Sequence, residues 1–530
     1  MTASTEFMRN NFENKYLKSA QVRKTDLLFV LLCAVFLYLH LFVLPGTPIF
    51  FEEDHLSYAQ DAWRMYLGES IYKDFFQLSF PGNQFLYLVL FEIFGPRFWT
   101  INFMIFLQGI SSAIVCLAIS RRIFENIWYS YLPPTIFLFF GFRWFGLDGS
   151  HRMFSPIFAM LAVLVLLRSA SFKRILLAGL FCALSGFITQ QRGILAVGAI
   201  AVYLLFSALA NKESLKTIFL KQLALGVSFA VCLTLLLLPF VLSSGIDVFV
   251  QDTLLYIYYY VQDPANNNAS YTRNIDIILR QGTLMSVVMF FYLALIPLIY
   301  LVVFVYLALK RKDDNISYKL PVLSVALMGG ILTLGTFAPN PARYFQIAVP
   351  ALILLVWMFS QISVKSIQMV RVAVIGLILF GLLLSFRTQL SWEPEILDSR
   401  SGKIAFLSGV TIERYKWLAE NADQNDYVFE VYNCAVNFPL QLKNPTPATF
   451  LWNTAYTPKW MVSESIEGLE KKKARFVIWD AKWTRELEVV DEGEHLLPLL
   501  EYLRENYHIR KNFTPYNERD REMQLWERNQ

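Results

Sequence analysis

The chain has 530 residues, 55% of them hydrophobic and only 17% charged. Soluble domains carry about 25% charged residues, so this composition excludes a soluble globular protein and indicates a polytopic helical membrane protein. The net charge of +5 is small for the length, and the basic residues form no extended patch, which argues against nucleic acid as a partner.

Arg9, Lys15, Lys18, Arg23 and Lys24 precede the first apolar run. The positive-inside rule therefore puts residues 1–25 in the cytoplasm. The run itself (26–45) lacks a small-residue cleavage site and reads as an uncleaved signal anchor. It opens a membrane module, 26–389, whose first outer loop spans 46–98. Within that loop, 81–96 is apolar but short and contains Asn83, Gln84 and Glu92. We read it as an interfacial helix that does not cross.

The remaining apolar runs alternate across the bilayer: 100–120, 126–142, 154–168, 174–188, 193–210, 218–242, 283–308, 319–337, 346–362 and 372–388. With the first run they make about eleven spans. The cytoplasmic loops then receive Arg121-Arg122, the 168–174 and 310–314 clusters, Lys365 and Arg371, while Asp54, Asp148, Arg192 and Arg343 fall outside. The loop 243–281 carries an aromatic stripe, Tyr256, Tyr258, Tyr259 and Tyr260. Aromatic-belt packing explains such a stripe as well as contact with a lipid tail does.

Residues 390–530 contain no span-length apolar run. Short β-like runs (426–432, 475–479, 523–528) flank helical ones (411–421, 463–473, 495–506), which predicts a soluble extracytoplasmic α/β domain. Cys33, Cys116, Cys182, Cys232 and Cys434 show no paired spacing, so neither a disulfide nor a zinc framework is expected.

Chemistry concentrates in the first outer loop. Asp54, Tyr58 and Ala62 are spaced four apart and share one face of a helix over 54–67. Asp54 stands at its N-terminus, where the dipole favours the ionised form. An acidic cluster that merely caps a helix has the same pattern. Asp148 lies in GLDGSHR between two runs, where a solvated turn would also place it. Arg192 in TQQRG and Arg343 before Tyr344 open two further runs on the outer side. Arginine there either receives a phosphate through bidentate donors or anchors lipid headgroups. Arg152 is a weaker candidate of the same kind.

The string from Asp54 through Tyr58, Ala62, Gly68, Tyr72-Lys73-Asp74-Phe75-Phe76 and Pro81-Gly82 resembles the first outer loop of GT-C glycosyltransferases. It is most similar to the protein O-mannosyltransferase-like group (glycosyltransferase family 39), which includes the lipid A aminoarabinose transferases. The resemblance covers about residues 26–390 and is strongest at 51–84. It implies a GT-C fold and transfer of a sugar from a polyprenyl-phosphate carrier to an outer-face hydroxyl, with inversion. It implies Asp54 as base or acceptor-orienting acid, with Glu53 in reserve because family members often carry Asp-Glu here. His55, Tyr58, Tyr72 and Asp74 would line the acceptor and sugar. Asp148 matches a second acidic position. Arg192, Arg343, Lys73 and Arg152 would bind the donor phosphate. Asp54 and Asp148, with His151, form a candidate site for magnesium or manganese. Leu78-Ser79-Phe80-Pro81 departs from the family, which often has His-Pro-Pro or Glu-Lys-Pro there.

The expected protein sits in a membrane, in keeping with a bacterial inner membrane, and acts on an acceptor that is a protein, lipid or glycan. Two rivals are a flippase or transporter of lipid-linked sugars and a surface-polysaccharide polymerase or ligase. A transporter is disfavoured because the polar groups gather at one face rather than at mid-depth.

Overall fold

The computed structural model describes residues 23–261, 275–276, 278–280, 282–309, 319–336, 339–362, 367–407, 409–452, 456–487, 496–513 and 522–529. Arg9, Lys15, Lys18 and the 310–314 cluster, expected in the cytoplasm, lie outside the described residues.

Long runs of Leu, Ile, Val and Phe leave the backbone as the main polar group, and a helix satisfies it internally. Among the described residues six helices are long and apolar enough to cross a bilayer: α1 Lys24–Leu41, α4 Trp99–Ile123, α8 Gln190–Ala210, α9 Leu215–Ser244, α10 Met285–Leu309 and α14 Ile367–Ser391. The chain is an integral membrane protein. Four apolar helices are shorter: α3 Gly82–Phe94, α6 His151–Leu166, α11 Leu320–Leu334 and α13 Ala348–Ile362. At 13 residues, α3 extends about 20 Å, short of the ~30 Å hydrocarbon core. That length fits the interfacial reading.

The expected span 126–142 is not one regular helix. Its first part, α5 Ile127–Thr135, contains Pro133 and Pro134 and continues as a wider, π-helical stretch Ile136–Phe142. Each proline removes a backbone donor and crowds the preceding turn, which loosens the ladder at this point.

Burial sorts the helices. In α4, 61% of the apolar window is covered by protein, whereas in α9 only 6% is. So α4 forms the centre of the bundle, and α9, apolar all round, is built for hydrocarbon surroundings. Around α4, α1 packs against α4 and α14, α6 against α4 and α7 Phe172–Ile188, and α8 against α7 and α11. The short helix α12 Pro341–Gln346 leads into α13.

Two elements cover one end of this bundle. The first is the loop after α1, carrying strands β1 Phe42–Val43 and β2 Thr47–Pro48 and helix α2 His55–Tyr66. The second is the C-terminal region. It begins with the antiparallel hairpin β3 Glu395–Ser399 and β4 Gly402–Phe406. Helix α15 Gly409–Asn421 leads to a four-stranded mixed sheet of β5 Val428–Glu430, β6 Phe476–Asp480, β7 Tyr507–Phe513 and β8 Met523–Arg528, in the order β5-β6-β8-β7. In this sheet β5 pairs with β6 in parallel, and β6–β8 and β8–β7 are antiparallel. Helices α16 Lys459–Lys472 and α17 Leu497–Asn506 complete it. All three expected strand runs and all three helical runs recur here.

The C-terminal region does not stand apart from the first loop. Phe50 N–H donates to Ala405 O at 2.8 Å, and Phe76 N–H to Pro447 O at 3.0 Å. The Phe50 ring stacks on Phe406 at 4.6 Å, and Phe91 of α3 on Phe438 at 4.9 Å. These backbone bonds and ring stacks join the C-terminal region to the first loop and to α3.

Candidate functional site

Helix α2 starts at His55 because Asp54 supplies the boundary residue, yet the Asp54 carboxylate makes no capping hydrogen bond. It is paired instead with the Arg152 guanidinium. This excludes the reading of Asp54 as a simple cap. Arg152 lies in the first turn of α6, and local chemistry fixes that turn. Asp148 accepts from the Ser150 backbone N–H at 3.1 Å and from its hydroxyl at 2.7 Å. Ser150 caps the helix by accepting from Arg152 N–H. The same Arg152 Nη1 that meets Asp54 lies 3.7 Å from Asp148 Oδ2.

Gly149 lets this loop approach its neighbours. A Cβ at 149 would stand 2.5 Å from the Tyr87 hydroxyl and 3.2 Å from His55 Cβ. That hydroxyl donates to Gly149 O at 3.1 Å, while Gln108 Nε2 of α4 donates to Ser150 O at 3.1 Å. The Asp148 carboxyl is therefore held by α3, α4 and α6 together.

Arg192 enters from the first turn of α8. It is 9% exposed and donates to Arg152 O and, at 3.1 Å, to Ser155 Oγ. Among the described residues it has no carboxylate partner, unlike Arg152. Arg343 comes from α12, whose start is set by Asn340 capping the Arg343 N–H at 2.9 Å and by Pro341. Arg343 acts electrostatically on Asp54, and Arg152, Arg192 and Arg343 all act on His151. Four separate stretches of chain thus bring Asp54, Asp148, Arg152, Arg192 and Arg343 together.

Electrostatics divides the acids. The Arg152 guanidinium, aided by Arg343, holds Asp54 below the usual carboxylate range against its partial burial. Burial, then the Asp54 charge, pushes Asp148 up to about 6. Reduced hydration, then the charges of Asp148 and Asp54, pushes Glu53 up to about 7. Burial and the nearby Arg152 charge pull Arg343 down to about 10. Burial draws His55 down to about 4, so it is neutral at pH 7.

Several expected residues have structural work instead. His55 is buried, with Gly149 N–H directed at its Nδ1 at 3.4 Å. Tyr72, at φ 69°, donates its hydroxyl to Ser79 O at 2.7 Å and packs on Phe249. Asp74 closes its own turn by accepting from Ser70 N–H at 2.7 Å. Lys73 is exposed on that turn, and no ion pair among the described residues links it to the cluster. Tyr58 is buried and hydrogen-bonded to His151 Nδ1. The expected metal set of Asp54, Asp148 and His151 does not fit a cation as arranged, because the Arg152 guanidinium lies between the two carboxylates and the Tyr58 hydroxyl bonds His151 Nδ1. Among the described residues no three His, Cys, Asp or Glu groups converge as metal ligands.

Arg152, the weaker arginine candidate in the sequence, is the one that meets both acids. The Asp148-to-Arg152 spacing of four was the available signal. Sequence reasoning missed a second layer. Arg414 of α15, almost fully buried, reaches Glu52 at 2.7 Å and Glu430 of β5 at 3.4 Å. Asp61 of α2 accepts from Thr449 at 2.8 Å and from Gln77 at 2.6 Å. Arg64 donates to Thr446 O at 2.9 Å, and Ser57 meets Asn433. The C-terminal region therefore fixes α2 from behind.

No protein-family model and no curated protein matches the sequence. Solved structures do match in fold. ArnT from Cupriavidus metallidurans aligns in its apo state with a TM-score of 0.58 at 11% identity, and bound to undecaprenyl phosphate with 0.56 at 12%. Both alignments cover 94% of this chain and 97% of ArnT. The Archaeoglobus fulgidus oligosaccharyltransferase in complex with Zn and sulfate aligns at 0.52 and 12% identity, over 93% of this chain and 72% of that one.

The chain has the GT-C fold. In this fold the charged cluster lies where the first loop, the starts of α6 and α8, and α12 meet. The C-terminal sheet region sits behind the loop.

Proposed function

We propose that this GT-C protein is a glycosyltransferase that moves a monosaccharide from a polyprenyl-phosphate carrier to an acceptor hydroxyl on the extracytoplasmic face, with inversion. The observation that carries this reading is the convergence of Asp54 with Arg152, Arg192 and Arg343 at the end of a bundle of apolar helices. A carboxylate beside surplus guanidinium charge suits an acceptor hydroxyl and a departing phosphate. Apolar helices next to it suit an isoprenoid tail. The similar fold of ArnT bound to undecaprenyl phosphate supports the donor class.

In this scheme the acceptor oxygen attacks the anomeric carbon as the bond from that carbon to the phosphate oxygen breaks. The electron pair leaves with the phosphate, and Arg192 and Arg343 stabilise its charge. The acceptor proton goes to a first-loop carboxylate. Asp54, kept ionised by Arg152, orients the hydroxyl, and Glu53, near 7, is the better matched proton acceptor. The N-terminus would be cytoplasmic, and the first loop and residues 390–530 would lie outside, in keeping with a bacterial inner membrane.

The test supplies a panel of polyprenyl-phosphate sugars to purified protein in detergent and measures released polyprenyl phosphate. Wild type releases it with at least one donor, and Asp54→Asn slows release by about 100-fold or more. Equal rates for both proteins would remove Asp54 from the chemistry. No release with any donor, despite donor binding, would favour a flippase.

A further inference from the structure

The two site carboxylates come from different parts of the chain, Asp54 from the start of α2 and Asp148 from the loop before α6. Two acids held near one another in a partly dry site need positive charge between them. In many enzymes a divalent cation supplies it. Here one guanidinium nitrogen, Arg152 Nη1, touches Asp54 Oδ2 and stands 3.7 Å from Asp148 Oδ2. We propose that Arg152 is a built-in counterion that fills the cation position between Asp54 and Asp148, so that the site holds its carboxylates without a divalent metal.

Three further observations fit. The remaining donor expected for a metal, His151, has its Nδ1 bonded to the Tyr58 hydroxyl and belongs to the same helical turn as Arg152. Arg343 adds a second positive charge acting on Asp54 and Asp148, so two guanidinium groups serve these carboxylates and the neighbouring Glu53. Arg152 is also pinned: its N–H is capped by Ser150, and its carbonyl accepts from Arg192. A mobile surface arginine would be a poor substitute for an ion, but this one is fixed at both backbone groups. The inference concerns the same carboxylates as the proposed transfer, yet it does not depend on the transfer taking place.

The experiment titrates the full chain in detergent with Mn2+ and follows the free-ion signal by electron paramagnetic resonance, with no sugar donor present. Wild type is expected to show no stoichiometric Mn2+ site that is sensitive to Asp148→Asn. Arg152→Ala is expected to gain one, and adding Asp148→Asn to it should weaken that site by about 10- to 100-fold. Should Arg152→Ala fail to fold because two carboxylates then face each other, Arg152→Gln takes its place, since it keeps polar contact but not charge. A stoichiometric wild-type Mn2+ site abolished by Asp148→Asn overturns the proposal. So does a folded Arg152 variant that gains no site. A failed transfer assay leaves both outcomes readable.

Discussion

Replacing Arg414 by methionine tests how the C-terminal region is fastened to the first loop. Arg414 is buried between Glu430, itself almost fully buried, and Glu52, which is more exposed. Burial pushes Glu430 up to about 7 while Arg414 holds it down. The free acid titrates near 4.3, so the folded state binds the extra proton between about 4.3 and 7. Wild-type stability therefore falls as pH rises through that window and levels off above about 7, where both states are ionised. Without Arg414 the buried carboxyl stays protonated, and stability keeps falling above 7 by about 1.4 kcal/mol per pH unit. The penalty transmitted through Glu430 is thus below ~0.1 kcal/mol at pH 6 and about 1.4 kcal/mol at pH 8. Spread over a unit of 150–250 residues, that is an extra fall in Tm of about 3–6 °C at pH 8 relative to pH 6. Thermal scans of detergent-solubilised Arg414→Met against wild type at the two pH values provide the measurement. Arg414→Met combined with Glu430→Gln should lose the pH dependence. A destabilisation equal at both pH values, or one that Glu430→Gln does not flatten, would refute the buried-pair argument.

If Glu53 accepts the acceptor proton, transfer should rise as pH increases through about 7, because the ionised form is the active one; a pH–rate profile checks this, and Glu53→Gln should remove that limb. Arg192→Met removes a buried cation whose protein partners are neutral oxygens. Undecaprenyl phosphate binding should weaken by about 10- to 100-fold, while Tm holds or rises because an uncompensated buried charge is gone; a Tm that drops with unchanged lipid binding would assign Arg192 a structural role. Gly149→Ala forces a methyl within 2.5 Å of the Tyr87 hydroxyl, so stability should fall by about 1–3 kcal/mol and transfer should drop with it. Thermal scans and the release assay report the two effects, and an Ala variant with wild-type values in both would show that the loop can shift without consequence.

Much of this molecule was readable along the chain because its signals are local. Unbroken apolar runs dictate helices wherever water is absent, and the short run at 81–96 forms one of the shorter apolar helices. The alternation of β-like and amphipathic stretches after residue 390 foretold β5, β6 and β8 and the helices α15, α16 and α17, but neither β7 nor the β3–β4 hairpin. The helix starts at 54, 192 and 343 were legible, and with them the charged side chains they carry. The prolines at 133 and 134 were visible too, yet their effect depends on how neighbouring helices accommodate a loosened turn.

What the order of residues could not decide is which distant charges meet. Asp54 pairs with a residue 98 positions away, and Arg414 reaches back 362 positions to Glu52. Coulomb attraction acts through space and leaves no periodic trace in a sequence, whereas helical backbone bonding acts over four residues and does. The sequence on its own determined a membrane protein of many apolar helices, with its candidate charges in the loops and helix starts between them. Only the packing of α2, α6, α8 and α12 decided that Arg152 would lie between two acids, and that Tyr72, Lys73 and Asp74 would build the loop instead of joining the site.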